Sequence, residues 1–150
     1  MKAGIEMTND EMTESLLEKI CYVIDILPSQ MADFEKYSEI EEYYLQEKEL
    51  DKFAEKIVNI VIKIQGYHEF DIFWGSWKGN VASGELAGLV RKTIRSKDGF
   101  LNMLSKKENM LLSIHGQALY MEIYNPTLAA IANLSMLASS EGLFMRRSEN

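Results

Sequence analysis

Cysteine is almost missing from this chain: Cys21 is the only one among 150 residues. One thiol closes no internal bridge, so stability draws nothing from an oxidising compartment. In the apolar run Ile20-Cys21-Tyr22-Val23-Ile24 it reads as a small buried hydrophobe, because no cationic or helix-N-terminal cue is there to activate it. Proline is scarce too, with Pro28 and Pro126 alone acting as punctuation. No internal repeat, low-complexity tract or Pro/Gly/Ser-rich linker divides the chain, and a single domain over 1–150 is expected. Long apolar runs are also lacking. The best candidate, Ile57 to Ile64, is broken by Asn59 and Lys63 and falls far short of the roughly 20 apolar residues of a membrane helix. Met1-Lys2-Ala3-Gly4-Ile5-Glu6 shows no apolar signal region. The expected location is the cytoplasm, with no membrane association.

What is present suits a self-sufficient globule. Apolar residues make up 47% and charged residues 26%, and a chain of this size buries roughly 68–70% of its unfolded surface. The net charge of −7 is unevenly spread. Residues 1–60 hold 15 acids and 6 bases, a net of −9, and residues 61–150 hold 8 acids and 10 bases, a net of +2. An acidic front half disfavours phosphate backbones and anionic lipid, so no nucleic acid is expected. It suits a basic protein partner, and it suits plain solubility.

The order of local signals predicts an α+β fold: N-terminal helices packed on a mostly antiparallel sheet, with a C-terminal hairpin-helix-strand unit. Thr8-Asn9-Asp10-Glu11 opens a helix with polar caps and early acids. The segment Cys21 to Leu27 could extend that helix, but Tyr22-Val23-Ile24-Asp25-Ile26 is rich in β-formers, which favours a short strand ending at Pro28. Pro28 to Tyr37 reads as a loop, and Ser38-Glu39-Ile40-Glu41 as a capping box for a short helix through Leu45. Leu50, Phe53, Ala54, Ile57, Ile60, Val61 and Ile64 form one stripe of a long helix over 49–65, stopped at Gly66. Tyr67 to Trp74 reads as a strand, 75–80 as a loop and 84–95 as a helix. Phe100 to Leu104 is expected to be a further helical turn. Met110–Ile114 and Ala118–Tyr124 flank His115-Gly116-Gln117 as a hairpin with a type II′ turn. In the second arm Leu119, Met121 and Ile123 share one face, and Tyr120, Glu122 and Tyr124 the other. Asn125-Pro126 is expected to cap the last helix, Gly142 to end it, and Leu143-Phe144-Met145 to close the fold. The crossover from Tyr124 to Leu143 is long enough for a parallel, right-handed connection.

The segments Ile24-Asp25-Ile26-Leu27-Pro28-Ser29-Gln30, Tyr120-Met121-Glu122-Ile123-Tyr124-Asn125-Pro126 and Ala138-Ser139-Ser140-Glu141-Gly142-Leu143-Phe144 resemble a group of short bacterial hypothetical proteins. The likeness covers about a third of the chain, and because that group has no assigned activity it implies no catalytic residue.

Candidate chemistry centres on the loop 75–80. Glycines between a strand and a helix can let backbone N–H groups approach an anion. Neither G-x-x-x-x-G-K-[ST] nor G-x-G-x-x-G is present, and Glu85 stands where a phosphate-binding lysine belongs, so a surface loop is the ordinary reading. Trp74, Ser76, Trp77, Lys78 and Asn80 are the candidate binding residues, since tryptophan anchors many interfaces; the competing reading puts both indoles in the core. His68 and His115 have no local partners for zinc, so neither metal nor cofactor is expected. The motifs G-x-S-x-G and S-x-x-K are missing, and Glu41-Glu42 fits a solvated helix face. Arg91, Lys92, Arg95, Lys97, Lys106, Lys107, Arg146 and Arg147 form either a patch for an acidic group or an intramolecular complement to the acidic half. Two classes of function follow. The preferred one is a non-catalytic interaction module that sequesters or regulates a basic partner. The alternative is a small ligand-binding domain or enzyme using the 75–80 loop.

Overall fold

A computed structural model describes residues 6–148 of the chain; residues 1–5, on which most of the signal-segment reading rests, lie outside the described residues. The helix α1 (Asn9–Leu16) starts at a capping box, in which Thr8 Oγ1 accepts from the Glu11 N–H and the Glu11 carboxylate accepts from the Thr8 N–H. Strand β1 (Cys21–Asp25) follows where the β-formers predict it. Helix α2 (Phe34–Tyr44) begins four residues before the expected Ser38 cap. Asp33 wins the role because its carboxylate accepts from the N–H groups of both Glu35 and Lys36 at the positive helix end.

Helix α3 (Glu47–Gln65) carries the long apolar stripe, with Leu50, Phe53, Ile57, Ile60 and Ile64 all buried. The expected strand after it is much shorter. Tyr67 and His68 still donate backbone N–H groups to Ile64 as the helix unwinds, and only Asp71–Phe73 form β2. The 75–80 segment is not an open loop either. Gly75, at φ +76°, turns the chain back so that Trp77–Lys78 pairs with β2 as β3. Helix α4 (Ser83–Arg95) follows.

Phe100–Ser105 is strand β4 and not a helical turn. Its partner is β5 (Met110–His115), in register from Phe100↔His115 to Ser105↔Met110. β5 pairs in turn with β6 (Tyr120–Tyr124), as the hairpin reading requires. The type II′ turn is replaced by a longer connection over 116–119, in which Gln117 at φ 54° takes the left-handed position. Gly116 serves close packing: a Cβ there would strike the Ser96 carbonyl oxygen, while its N–H donates to Gly99 O at 2.8 Å.

Asn125 does not cap α5 (Leu128–Ser140). Thr127 does, accepting from the Ala130 N–H at 3.1 Å, while Asn125 (φ 59°) turns the chain out of the sheet. Gly142 (φ 74°) ends the helix, with Ala138 O accepting from the Leu143 N–H. The closing strand β7 (Phe144–Arg147) pairs antiparallel with β1, not directly with β6. β6 and β7 thus run parallel with β1 inserted between them.

The result is an α+β fold with one seven-stranded sheet, ordered β3-β2-β4-β5-β6-β1-β7, whose neighbours all pair antiparallel. Helices α3, α4 and α5 bury one face. Ile24, Leu101, Met103, Leu112, Met121 and Ile123 from the sheet join Ile57, Ile60, Val90 and Leu134 from the helices in a single apolar core. Each such side chain contributes roughly 1.5–3 kcal/mol by leaving water. The other face has only a small cluster, Leu16 of α1 on Leu104 and Leu111. No helix among the described residues is long and apolar enough to cross a membrane.

Candidate functional site

The sheet registers align one row of residues across all seven strands on the face away from α3–α5: Arg146, Val23, Glu122, Ser113, Asn102, Phe73 and Trp77. A neighbouring row sets Phe144, Asp25 and Tyr120 side by side. Strand alternation thus puts Arg146, Glu122, Ser113 and Asn102 on the face away from α3–α5, which α1 meets at the Trp77 end.

A hydrogen-bonded chain runs along this face. Ser113 Oγ donates to Asn102 Oδ1 at 2.7 Å and lies 3.2 Å from His115 Nε2, which is 3.1 Å from Glu122 Oε1. Serine, histidine and carboxylate are all present, but the geometry is not that of an activated nucleophile. Ser113 and Glu122 meet the same ring nitrogen, whereas a triad needs the acid on one nitrogen and the hydroxyl on the other. The Glu122 carboxylate calls for a proton on Nε2, so Nε2–H donates to both neighbours and cannot take the serine proton. The Ser113 side chain is also buried. The cluster orients Glu122 and holds His115, half-exposed, beside the Phe100 ring.

Next to this chain the sheet edge meets α2 and the segment after β1, enclosing a pocket of about 460 Å³. Its floor and walls include Asp25, Glu122, Arg146, Tyr37, Tyr120 and Phe34. Asp25 is only 7% exposed and is compensated on both oxygens: Arg146 Nη2 donates to Oδ2 at 2.8 Å and the Leu27 N–H to Oδ1 at 3.3 Å. Burial first, then the carboxylates nearby, push the phenols of Tyr37 and Tyr120 above their ordinary pKa, so both stay protonated at neutral pH. Tyr124 is raised further by the same causes, burial and Glu122. Burial and Glu122 also raise the Cys21 thiol, which keeps it a poor nucleophile.

The sequence-predicted binding residues do not converge. Trp74 turns to the helix layer, where its Nε1–H donates to Thr93 Oγ1 at 3.0 Å and Lys92 Nζ sits 5.9 Å from its ring. Trp77 turns to the opposite face, donating to Asp10 Oδ1 at 2.8 Å and packing edge-on against Phe73. Ser76 and Asn80 are exposed, Lys78 is half-buried, and none of the five lines either this pocket or the smaller one beside His68. His115 ends β5, whereas His68 lies in the turn between α3 and β2. Both ring nitrogens of His68 are buried without a hydrogen bond among the described residues, Nδ1 lying 3.8 Å from Glu108. Among the described residues no three His, Cys, Asp or Glu side chains are grouped to hold a metal ion. Half of the eight-residue basic group is matched among the described residues: Arg91 pairs with Glu55, Arg95 with Asp51, Lys106 with Asp71 and Arg146 with Asp25.

Sequence reading missed Asp25, Tyr37, Tyr120, Glu122 and Arg146 as a set. The signal that could have found them is the polar face Tyr120-Glu122-Tyr124 of β6, which needs a partner above it or solvent. No family model matches this chain, and no curated protein or solved structure was found to match it.

Proposed function

We propose that this chain is a non-catalytic interaction module that binds a basic protein partner on the uncovered face of its sheet, at the end where β1, β6 and β7 meet α2. One observation carries the reading: helix α2, whose Phe34 and Tyr37 line the pocket at that end, carries four acids that bases match little among the described residues. Helix α2 holds Glu35, Glu39, Glu41 and Glu42, of which only Glu39 has a basic partner, Lys36, among the described residues. By contrast, the acids Asp51 and Glu55 of α3 are taken up by Arg95 and Arg91. A positive partner is therefore drawn to the α2 side, where Phe34, 77% exposed, and the tyrosines of the pocket offer apolar area as well.

Titration of the isotope-labelled chain with a nine-residue polyarginine peptide tests this. Amide shifts should concentrate in β1, β6, β7 and α2 and weaken at about 0.3 M salt, where exposed charges are screened. Shifts confined to α3 and α4, or none at low salt, would reject the reading.

A further inference from the structure

Building on that reading, we infer that the pocket between β1, β6, β7 and α2 receives the guanidinium of a single arginine side chain from the partner. Its charge balance selects a cation. Arg146 gives Nη2 to Asp25 while its buried Nε has no partner among the described residues, and Glu122 gives one oxygen, Oε1, to His115. The Glu122 carboxylate, which also draws on the Tyr124 hydroxyl, lines the pocket, and Glu41, held against the Tyr37 hydroxyl at 3.4 Å, adds negative charge beside it. The two lining carboxylates, Asp25 and Glu122, outnumber the single lining cation, Arg146, which already pairs with Asp25, so an anionic ligand would meet net negative charge.

The walls select arginine over lysine. Tyr37, Tyr120 and Phe34 present ring surface, on which a planar, weakly hydrated guanidinium stacks more favourably than a compact ammonium does. A guanidinium also meets a carboxylate through a fork of N–H donors, and the Glu122 carboxylate is held in place by the His115–Ser113–Asn102 chain before any ligand arrives. That chain is the function left to the Ser–His–Glu arrangement once catalysis by Ser113 is excluded by geometry. The pocket volume, about 460 Å³, is within the range of sites that enclose a small group.

The probes are the blocked tripeptide Gly-Arg-Gly and its lysine and citrulline counterparts, titrated into the full chain and followed by amide and tyrosine ring shifts. The arginine peptide should move the signals of Tyr37, Tyr120 and Glu122; the lysine peptide should bind several-fold more weakly, and uncharged citrulline should bind hardly at all. Glu122→Gln keeps an oxygen for His115 and should weaken the arginine peptide about tenfold. Tyr37→Ala, on a helix without buried residues, tests the aromatic wall independently should Glu122→Gln fail to fold. Citrulline binding equal to arginine, or undiminished binding in both variants, overturns the inference. Should the tripeptide leave the pocket unmoved while polyarginine still shifts the uncovered face, the arginine pocket falls and the interaction reading stands. Failure of both peptides removes both.

Discussion

The two faces of the sheet solve opposite problems with the same seven strands. On the covered face Ile24, Leu112, Met121 and Ile123 are fully out of water against α3, α4 and α5, and geometry there is set by close packing. On the other face α1 shields only Leu104 and Leu111, and the rest is held by hydrogen bonds and ion pairs: Asn102–Ser113–His115–Glu122 and Asp25–Arg146. The first face supplies stability without specificity for anything outside the chain. The second, whose groups are ordered but partly wet, is where recognition can be built.

Breaking the covered face should cost most. Ile60→Ala removes a side chain with no exposure and leaves a cavity, and should lower the unfolding free energy by about 4 kcal/mol in urea titration. On the uncovered face Arg146→Met should cost about 3 kcal/mol, because it strands the Asp25 carboxylate with only the Leu27 N–H. Adding Asp25→Leu to Arg146→Met should recover most of that loss, because it removes the carboxylate left without its partner.

The smallest effect is a dependence on pH. The Tyr124 phenol is raised by burial and by Glu122, so in the folded chain it holds its proton above the unfolded value near 10. A raised folded pKa contributes stability that is complete below that value and is lost as pH rises through the folded one. Thermal unfolding should therefore fall more steeply between about pH 9 and 11 than in Tyr124→Phe, which removes part of the slope. An identical slope in the variant would mean that the uncovered face does not hold its phenols as described.

How much of this was legible depended on which face a residue serves. Helix α3 could be read because its other side is wet and the apolar stripe stands out. β4 could not, because Leu101 and Met103 enter the helix-side core while Leu104 enters the α1 cluster, so apolar residues on both faces erase the alternation. The start of α2 was hidden because two capping signals compete and the carboxylate of Asp33 prevails over Ser38. The indoles drew attention to 75–80, yet their N–H groups are satisfied by Thr93 and Asp10 on opposite sides of the sheet. The pocket joins Asp25 to Arg146, residues 121 positions apart, and only the topology brings them together.

The seating of β1 between β6 and β7 has a kinetic consequence. Both of its neighbours come from the far end of the chain, and contacts of such long sequence separation form slowly because a large loop must close first. On a ribosome this strand waits, edges unpaired, until nearly everything else has emerged. The face built from β1, β6 and β7 is therefore complete only once these long loops have closed.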